Sequence, residues 1–415
     1  MPQTDNYDLI VVGSGAAGMI AAITAARASK KVLLLEKLPK LGSKLKATGG
    51  GRCNLTNTLS NEDFMARFGR EGRFMSQALN AFEHKALIKF FAELGVESHA
   101  PDGYRIFPIT HSSSTIINAL EDEMKALHVK VMCNERVEKV LHVKQNISGV
   151  QTQNSSFSAL HVIIATGGLG YPQLGSDGDG YTMASSLGHK ITDTFPAMMP
   201  LLTKETWVQN CRADTIAKVE LRVDLAKAKK LRARGDLIFT NRGIRGPVVL
   251  DFAREITPLL QKYTEVPLLV NLTKGMNEEQ IRVHFKKEMA KNPHQNILKL
   301  TKTLLPHELS YELCKLCSIN PELGFNKVEG ALRNKLIKTL AWTPLTVIGH
   351  DGFKMAMITR GGVSLKEIDP ESMESKLIKG LYFCGEVMNL DGPCGGYNLQ
   401  WSFSSGYLAG HLKSM

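Results

Sequence analysis

Long apolar runs, secretory features and a disulfide framework are all lacking in this 415-residue sequence. No uncharged apolar stretch approaches the roughly 18 residues of a membrane-spanning helix, so no membrane span is expected. Residues 1–8 lack the basic flank and apolar core of a signal peptide. The seven cysteines are odd in number and scattered, which is typical of reduced thiols in a cytoplasmic protein. No metal-ligand spacing and no Ser-His-Asp arrangement is evident, so we expect neither a metal site nor a hydrolytic triad.

Basic charge and glycine are unevenly distributed along the chain. Residues 196–345 hold 25 Lys or Arg against 15 Asp or Glu, a net +10 of the total +11, but only 6 of the 36 glycines. Glycine permits tight turns and close backbone approach to a ligand, so both chain ends resemble ligand-binding segments with an insertion between them. We therefore expect a discontinuous domain of residues 1–195 and 346–415, with an inserted β-rich domain at 196–273 and an inserted helical domain with the return at 274–345.

The first fifty residues have a strand, glycine turn, helix and strand in succession. Residues 8–12 and 31–35 are short apolar, β-branched runs, typical of buried parallel strands. The Ala-rich stretch 19–28 between them favours a helix. The turn that joins the first strand to this helix reads Gly13-Ser14-Gly15-Ala16-Ala17-Gly18. Because Glu36 follows the second strand, the pattern predicts a dinucleotide-binding βαβ unit.

Each part of this unit has a physical function. Gly13 permits the tight turn, Gly15 lets the backbone approach a pyrophosphate, and Gly18 lets the helix pack close to the strand. The helix N-terminus offers free N–H groups to phosphates. Glu36 is placed to accept hydrogen bonds from ribose hydroxyls, which favours FAD or NAD over NADP.

Three further segments have the composition of a cofactor site. Residues 42–57 form a polar, glycine-rich loop that suits a planar, phosphate-bearing ligand, although a flexible surface loop has the same composition. Residues 162–166 predict a buried strand that ends at a glycine turn. Residues 380–384 predict another, followed by Gly385-Glu386, a second glycine turn and a helix through Gly410. This C-terminal order recurs in FAD enzymes of the glutathione-reductase-like class, so both chain ends together predict one extended FAD site.

With these motifs in order along nearly its whole length, the chain resembles the YhiN/BaiN-like family of three-domain bacterial flavoproteins, which are FAD-dependent oxidoreductases. The matching stretches are VVGSGAAGMIAA, GSKLKATGGGRCNLTN, IIATGGLGYPQLGSDGDGY, IFTNRGIRGP, ITRGGV and GLYFCGEVMNLDGPCGGYNLQWSFSSGYLAG. The resemblance implies an α/β fold: a Rossmann-like, glutathione-reductase-like FAD-binding domain formed by both chain ends, with an inserted β-barrel-like and helical unit.

The resemblance also implies a set of FAD-binding residues by motif position, with the AMP half at the first turn and the flavin against the 42–57 loop. The predicted set is Gly13, Ser14, Gly15, Ala16, Ala17, Gly18, Glu36, Lys37, Lys44, Thr48, Gly50, Gly51, Arg52, Cys53, Asn54, Val137, Thr166, Gly167, Asp179, Gly385, Glu386, Asn398 and Leu399. No catalytic acid or base is predicted. Arg52, Asn54 and Tyr171 are candidates for lining the substrate pocket.

The sequence departs from the family pattern at four positions. Asn241 and Arg245 stand where His and Ser are expected, Arg360 replaces a small residue, and Asn389 replaces an Asp. If these positions line the substrate pocket, they change its charge and its substrate.

The favoured function is an FAD-dependent oxidoreductase that acts on a small molecule by hydride or electron transfer at flavin N5. The redox partner stays open: it is either oxygen or a nicotinamide, NAD(P)H or NAD(P). The sequence has no second GxGxxG unit, so a dedicated NAD domain is not expected. A flavin-dependent tRNA- or RNA-modifying enzyme and a nucleic-acid-binding FAD redox sensor stay open as alternatives. The basic run 227–234 is either a solvated surface or an anion-binding patch. No aromatic-interleaved RNA-recognition motif is visible, so a nucleic-acid partner is not favoured.

Overall fold

The computed structural model describes residues 6–413. Backbone contacts divide the chain into two units: Met1–Phe195 with Ala356–Met415, and Pro196–Met355. None of the helices in the described residues is both long and apolar enough to cross a membrane.

The helices and strands are numbered in chain order. The strands are β1 Asn6–Val12, β2 Val32–Leu35, β3 Thr56–Asn57, β4 Ser98–His99, β5 Arg105–Pro108, β6 Lys130–Met132, β7 Val137–Val143, β8 Asn146–Thr152, β9 Ser156–Ile164, β10 Ile191–Ala197, β11 Leu201–Thr203, β12 Thr215–Val223, β13 Arg232–Phe239, β14 Gly243–Arg245, β15 Val266–Asn271, β16 Thr343–His350, β17 Ile358–Val363 and β18 Leu381–Phe383. The α-helices are α1 Ala16–Arg27, α2 Ser43–Ala47, α3 Asn61–Ala66, α4 Ser76–Ala81, α5 His84–Glu93, α6 Ser113–Ala126, α7 Asp179–Ser186, α8 Pro247–Tyr263, α9 Glu278–Lys291, α10 Ile297–Thr301, α11 His307–Leu316, α12 Gly330–Ala341 and α13 Tyr397–Gly410.

A sheet of seven strands forms the centre of the first unit. Its order is β6-β2-β1-β9-β8-β7, and β18 also pairs with β9. Strand β1 is parallel to both β2 and β9, and β18 is parallel to β9 with Leu381 opposite Val162. The apolar runs in these strands are buried on both faces, as expected for parallel strands covered by helices. The C-terminal strand therefore joins the N-terminal strands in one sheet.

Small residues bring helices α1 and α13 of this unit into backbone contact. A Cβ at Gly406 would lie 2.2 Å from the carbonyl oxygen of Ala17, and one at Gly410 would lie 2.6 Å from that of Ala21. Glycine spaced four residues apart leaves one side of α13 flat, so its backbone approaches that of α1. This close packing places the N-termini of the two helices in the same cleft.

The second unit is built around a closed antiparallel barrel. Its six strands follow the order β11-β14-β13-β12-β15-β16. Because β16 closes this barrel, the return to the first unit comes at Ala356, later than the expected 346. The expected β-rich segment 196–273 also contains the 17-residue helix α8, which begins with Pro247 at its first position. Proline is favoured there, since the first helical N–H has no partner.

Four helices, α9 to α12, lie between Glu278 and Ala341. Cys314 lies in α11, and Cys317 caps that helix; both are fully buried free thiols. Burial raises the pKa of the Cys314 thiol to about 11, which favours the inert protonated form. Together the two units confirm the predicted α/β fold class with an inserted barrel and helices.

Candidate functional site

A cleft runs along the carboxyl ends of the parallel strands, entirely within the first unit. Its walls come from the residues that follow β1, β2, β9 and β18 and from the first turns of α1 and α13. Ligands of open parallel sheets bind at this edge, where loops leave the strands. The predicted residues lining the cleft are Gly13, Ser14, Gly15, Ala16, Ala17, Glu36, Lys37, Lys44, Thr48, Val137, Thr166, Gly167, Asp179, Gly385, Glu386, Asn398 and Leu399.

The three glycines of the first turn serve three different purposes. Gly13 has φ +100°, and a Cβ there would lie 2.7 Å from the carbonyl oxygen of Ala165. A Cβ at Gly18 would lie 2.0 Å from the carbonyl oxygen of Gly13, so helix α1 can approach its strand only without a side chain. A Cβ at Gly15 would meet no atom within 4 Å. Gly15 therefore leaves open space at the N-terminus of α1, which fits a diphosphate bound to the helix N–H groups.

Glu36 is a buried carboxylate at the end of β2. It is 8% exposed, and its oxygens accept hydrogen bonds from the backbone N–H and hydroxyl of Ser14 and from the backbone N–H of Leu38. The N–H bonds are each 2.9 Å long. These donors hold the charge in place beside the glycine turn, where a ribose hydroxyl can donate to it.

Four charged residues form a network at one side of the cleft. Lys37 donates to Asp177 and, at 2.8 Å, to Asp179; Arg136 donates to Asp179 as well. Burial opposes ionisation of Asp177, but the hydrogen bond and charge of Lys37 outweigh it and lower the pKa of that carboxyl. Arg136 and Asp177 are absent from the predicted set. The only signal for Arg136 was its place next to Val137.

A second ion pair lies at the C-terminal side of the cleft. Lys44 Nζ is 2.7 Å from Glu386 Oε2, and the backbone N–H of Thr359 donates to Glu386 Oε1 at 2.9 Å. The pair joins the glycine-rich loop to the segment after β18, 342 residues apart. Both side chains are largely buried, so the Glu386 carboxylate is fixed in the wall of the cleft.

The adjoining wall contains an unsatisfied polar atom. Thr166 Oγ1 is buried and has no hydrogen-bond partner in the described residues. Gly167, next to it, has φ +73°. The side chain of Asn398 accepts from the N–H of Gly392 and donates to its carbonyl, both at 2.9 Å, and so fixes the turn before α13. A Cβ at Gly180 would lie 2.1 Å from Thr166 Oγ1, so this buried hydroxyl packs against helix α7.

Seven predicted residues do not line this cleft. They are Gly18, Gly50, Gly51, Arg52, Cys53, Asn54 and Tyr171. Gly50 and Gly51 have φ +67° and +87°, and a Cβ on either would meet no described atom within 4 Å. The Arg52 guanidinium lies 5.5 Å from the centre of the Phe107 ring.

Cys53 is fully buried, and burial raises the pKa of its thiol to about 12 despite a hydrogen bond from Thr48. A raised pKa favours the protonated, less reactive form of this thiol.

The four departures from the family pattern are dispersed. Asn241 and Arg245 are exposed residues of the barrel unit, Arg360 is half-buried in β17, and Asn389 follows β18. The described residues contain no group of three or more metal-ligating side chains.

The chain is similar to known proteins over nearly its whole length. The family model described as the HI0933-like protein Rossmann domain matches residues 7–412. The 3-dehydro-bile acid delta(4,6)-reductase of Clostridium scindens is 33% identical over 409 residues, covering 97% of this chain and 98% of that protein. The ribosomal RNA dihydrouridine synthase of Escherichia coli is 29% identical over 407 residues, covering 97% of each. In fold, the chain is similar to the 3-ketosteroid delta1-dehydrogenase of Sterolibacterium denitrificans, with a TM-score of 0.56, 13% identity and coverage of 98% and 99%.

Proposed function

The chain belongs to the HI0933-like family and is an FAD-dependent oxidoreductase. We propose that it reduces a carbon–carbon double bond conjugated to a carbonyl group. The names of two relatives that match it end to end support this reaction. One is a delta(4,6)-reductase of 3-dehydro-bile acids and the other makes dihydrouridine. A 3-oxo-4,6-diene and a uracil ring both carry a double bond conjugated to a carbonyl, so one chemistry accounts for both names.

The observation that carries the proposal is the cleft between the N-termini of α1 and α13. We propose that it holds FAD along its length, because the open space at Gly15 and the fixed carboxylates Glu36 and Glu386 fit a diphosphate and two sets of sugar hydroxyls. Since every lining residue belongs to the first unit, we propose that unit as the complete FAD-binding domain.

In this proposal the protein residues bind FAD and orient it. The N–H groups of α1 bind the diphosphate, Glu36 accepts from the adenosine ribose, and Glu386, fixed by Lys44, accepts from the ribityl chain. The N-terminus of α13 places positive partial charge at the ring edge. When bound and reduced by NAD(P)H, FAD would supply the hydride, and a proton from water would complete the addition of two hydrogens across the double bond.

A reduction assay tests the proposed reaction. The purified protein should release FAD on denaturation. After anaerobic reduction with NADPH or NADH, the holoprotein should regain its oxidised flavin absorbance on addition of a 3-oxo-4,6-diene steroid or a uridine-containing RNA. Mass spectrometry should find a product with two added hydrogens. Reoxidation by oxygen alone, with neither acceptor reduced, would contradict the proposal.

Glu36→Ala is expected to weaken FAD binding by roughly 10- to 100-fold. Charge-assisted hydrogen bonds contribute about 1.5–3 kcal/mol each, and this carboxylate also fixes Ser14 in the turn. Titration of FAD into the apo-protein, followed by flavin fluorescence, measures the change. Glu36→Gln should lie between the wild type and Glu36→Ala, and the exposed Glu93→Ala should have no effect. An unchanged Kd in Glu36→Ala would show that the acid does not contact the ribose.

A further inference from the structure

The excess positive charge of the protein belongs to the barrel unit. Pro196–Met355 holds 26 Lys or Arg and 16 Asp or Glu, a net +10, whereas the rest of the chain carries +1. FAD binding in the first unit does not use this charge. Its distribution over the barrel surface therefore needs a separate explanation.

Much of the charge is collected at one end of the barrel, on β12, β13 and the turn that joins them. Val219, Leu221 and Val223 are buried, so the alternate residues of β12 point outward. The basic barrel end comprises Arg222, Lys227, Lys229, Lys230, Arg232 and Arg234. The 14 residues from 221 to 234 contain a single acid, Asp224.

Like charges face each other within this surface. Arg222 and Arg232 are directly opposite in the β12–β13 ladder, an arrangement that destabilises a sheet unless another group offsets it, whereas Glu220 lies opposite Arg234 in the next pair on that face. In the described residues, no carboxylate forms an ion pair with any cation of the basic barrel end. The Arg222 guanidinium is instead 3.9 Å from the centre of the Trp342 ring. An arginine held against an aromatic ring keeps its N–H donors available to an anion.

The turn that displays the three lysines is ordered. Ala228 is buried, and hydrogen bonds of 2.9 Å run from the Ala228 N–H to the carbonyl of Leu225 and from the Leu231 N–H to the carbonyl of Ala228. Lys227, Lys229 and Lys230 are exposed around this anchor. Helix α9 of the same unit differs, since Glu278 and Glu288 there form ion pairs with Arg282 and Lys291. Among the described residues, the exposed Lys286 and Lys287 of α9 have no ion pair either, so the basic barrel end differs from α9 in its scarcity of acids: one among 14 residues.

We propose that the basic barrel end binds the phosphate backbone of RNA, and that the reduced substrate is a uracil base within that RNA. Unpaired cations on a fixed surface match the regular phosphates of a nucleic acid. Of the two substrate types named for the full-length relatives, only RNA supplies such a polyanion. The substrate assignment rests on the proposed reduction, whereas RNA binding by the barrel end does not.

Salt-dependent binding tests the surface independently of catalysis. The probe is a fluorescein-labelled, uridine-containing RNA hairpin, titrated with oxidised holoprotein and followed by anisotropy at several salt concentrations. Lys227→Glu/Lys229→Glu/Lys230→Glu should weaken binding at least 10-fold and reduce the slope of log K against log salt by about 3. The matched variant Lys286→Glu/Lys287→Glu/Lys299→Glu carries the same charge change on exposed lysines of α9 and α10, and it should bind within 2-fold of the wild type.

The outcomes separate the two proposals. Equal loss in both variants, absence of RNA binding in the wild type, or equally tight binding to phosphatidylserine vesicles would overturn the RNA surface. RNA binding with the expected variant pattern, but with no double bond reduced in any acceptor, would overturn the proposed function and leave the surface supported. Reduction of the steroid dienone by a protein that does not bind RNA would support the proposed function and overturn the RNA surface.

Discussion

Gly15→Val is expected to abolish FAD retention while the FAD-free protein unfolds as the wild type does. Gly15 has φ −71° and ψ −177°, an extended conformation that valine adopts readily. A Cβ there would meet no protein atom within 4 Å, so the first atom of the side chain fits the apo-fold without a clash. The valine would instead occupy the space in which a diphosphate approaches the N-terminus of α1. We expect affinity for FAD to fall at least about 100-fold, or about 2.8 kcal/mol.

Apo-protein melting curves and FAD titration check this prediction together. Gly324→Val is the matched control, because Gly324 also has extended backbone and open space around its Cβ but lies in the barrel unit. That variant should keep wild-type FAD binding. Wild-type FAD affinity in Gly15→Val would show that the diphosphate lies elsewhere, and an unfolded apo-protein would show that Gly15 is structural.

Local sequence was sufficient to predict the parts of the site that depend on neighbouring residues. A glycine turn between a strand and a helix has geometry set within a few residues, so the separate demands on Gly13, Gly15 and Gly18 follow from spacing alone. The acid after β2 follows from the same unit. The fold class was predictable too, because apolar strands at both chain ends require a common sheet.

Long-range partners could not be predicted in that way. Lys37 meets Asp177 and Asp179 across 140 and 142 residues, and Lys44 meets Glu386 across 342. Charged side chains carry no sequence signal for their partners, since only the tertiary fold decides which of them come together. The expected β-rich segment 196–273 left out helix α8, although that helix opens on Pro247 and buries Phe252 and Ile256. The pairing of Arg222 with Arg232 likewise depends on the register of β12 against β13, which the sequence alone does not give.

Gly406→Ala is expected to destabilise the first unit by about 2–3 kcal/mol, despite the better helix propensity of alanine. In an unconstrained helix the change would stabilise by up to about 1 kcal/mol. Here the added Cβ would lie 2.2 Å from the Ala17 carbonyl oxygen and 2.9 Å from its carbon, and backbone atoms cannot rotate away as a side chain would. Overpacking of this kind typically costs about 1–3 kcal/mol, so α13 must shift away from α1.

Such a shift connects packing to function, because both helices contribute their N-termini to the cleft. Urea unfolding of the apo-protein should show the lower stability, and FAD titration should show weaker binding in the same variant. Gly330→Ala in α12 is the control: its Cβ would have only the end of the Arg333 side chain nearby, at 3.9 Å, so stability and FAD affinity should be retained. If Gly406→Ala proved as stable as the wild type, close contact between α1 and α13 could not be what aligns the two helix ends. If it were unstable but bound FAD normally, the cleft would tolerate displacement of α13, and the role assigned to that N-terminus would be wrong.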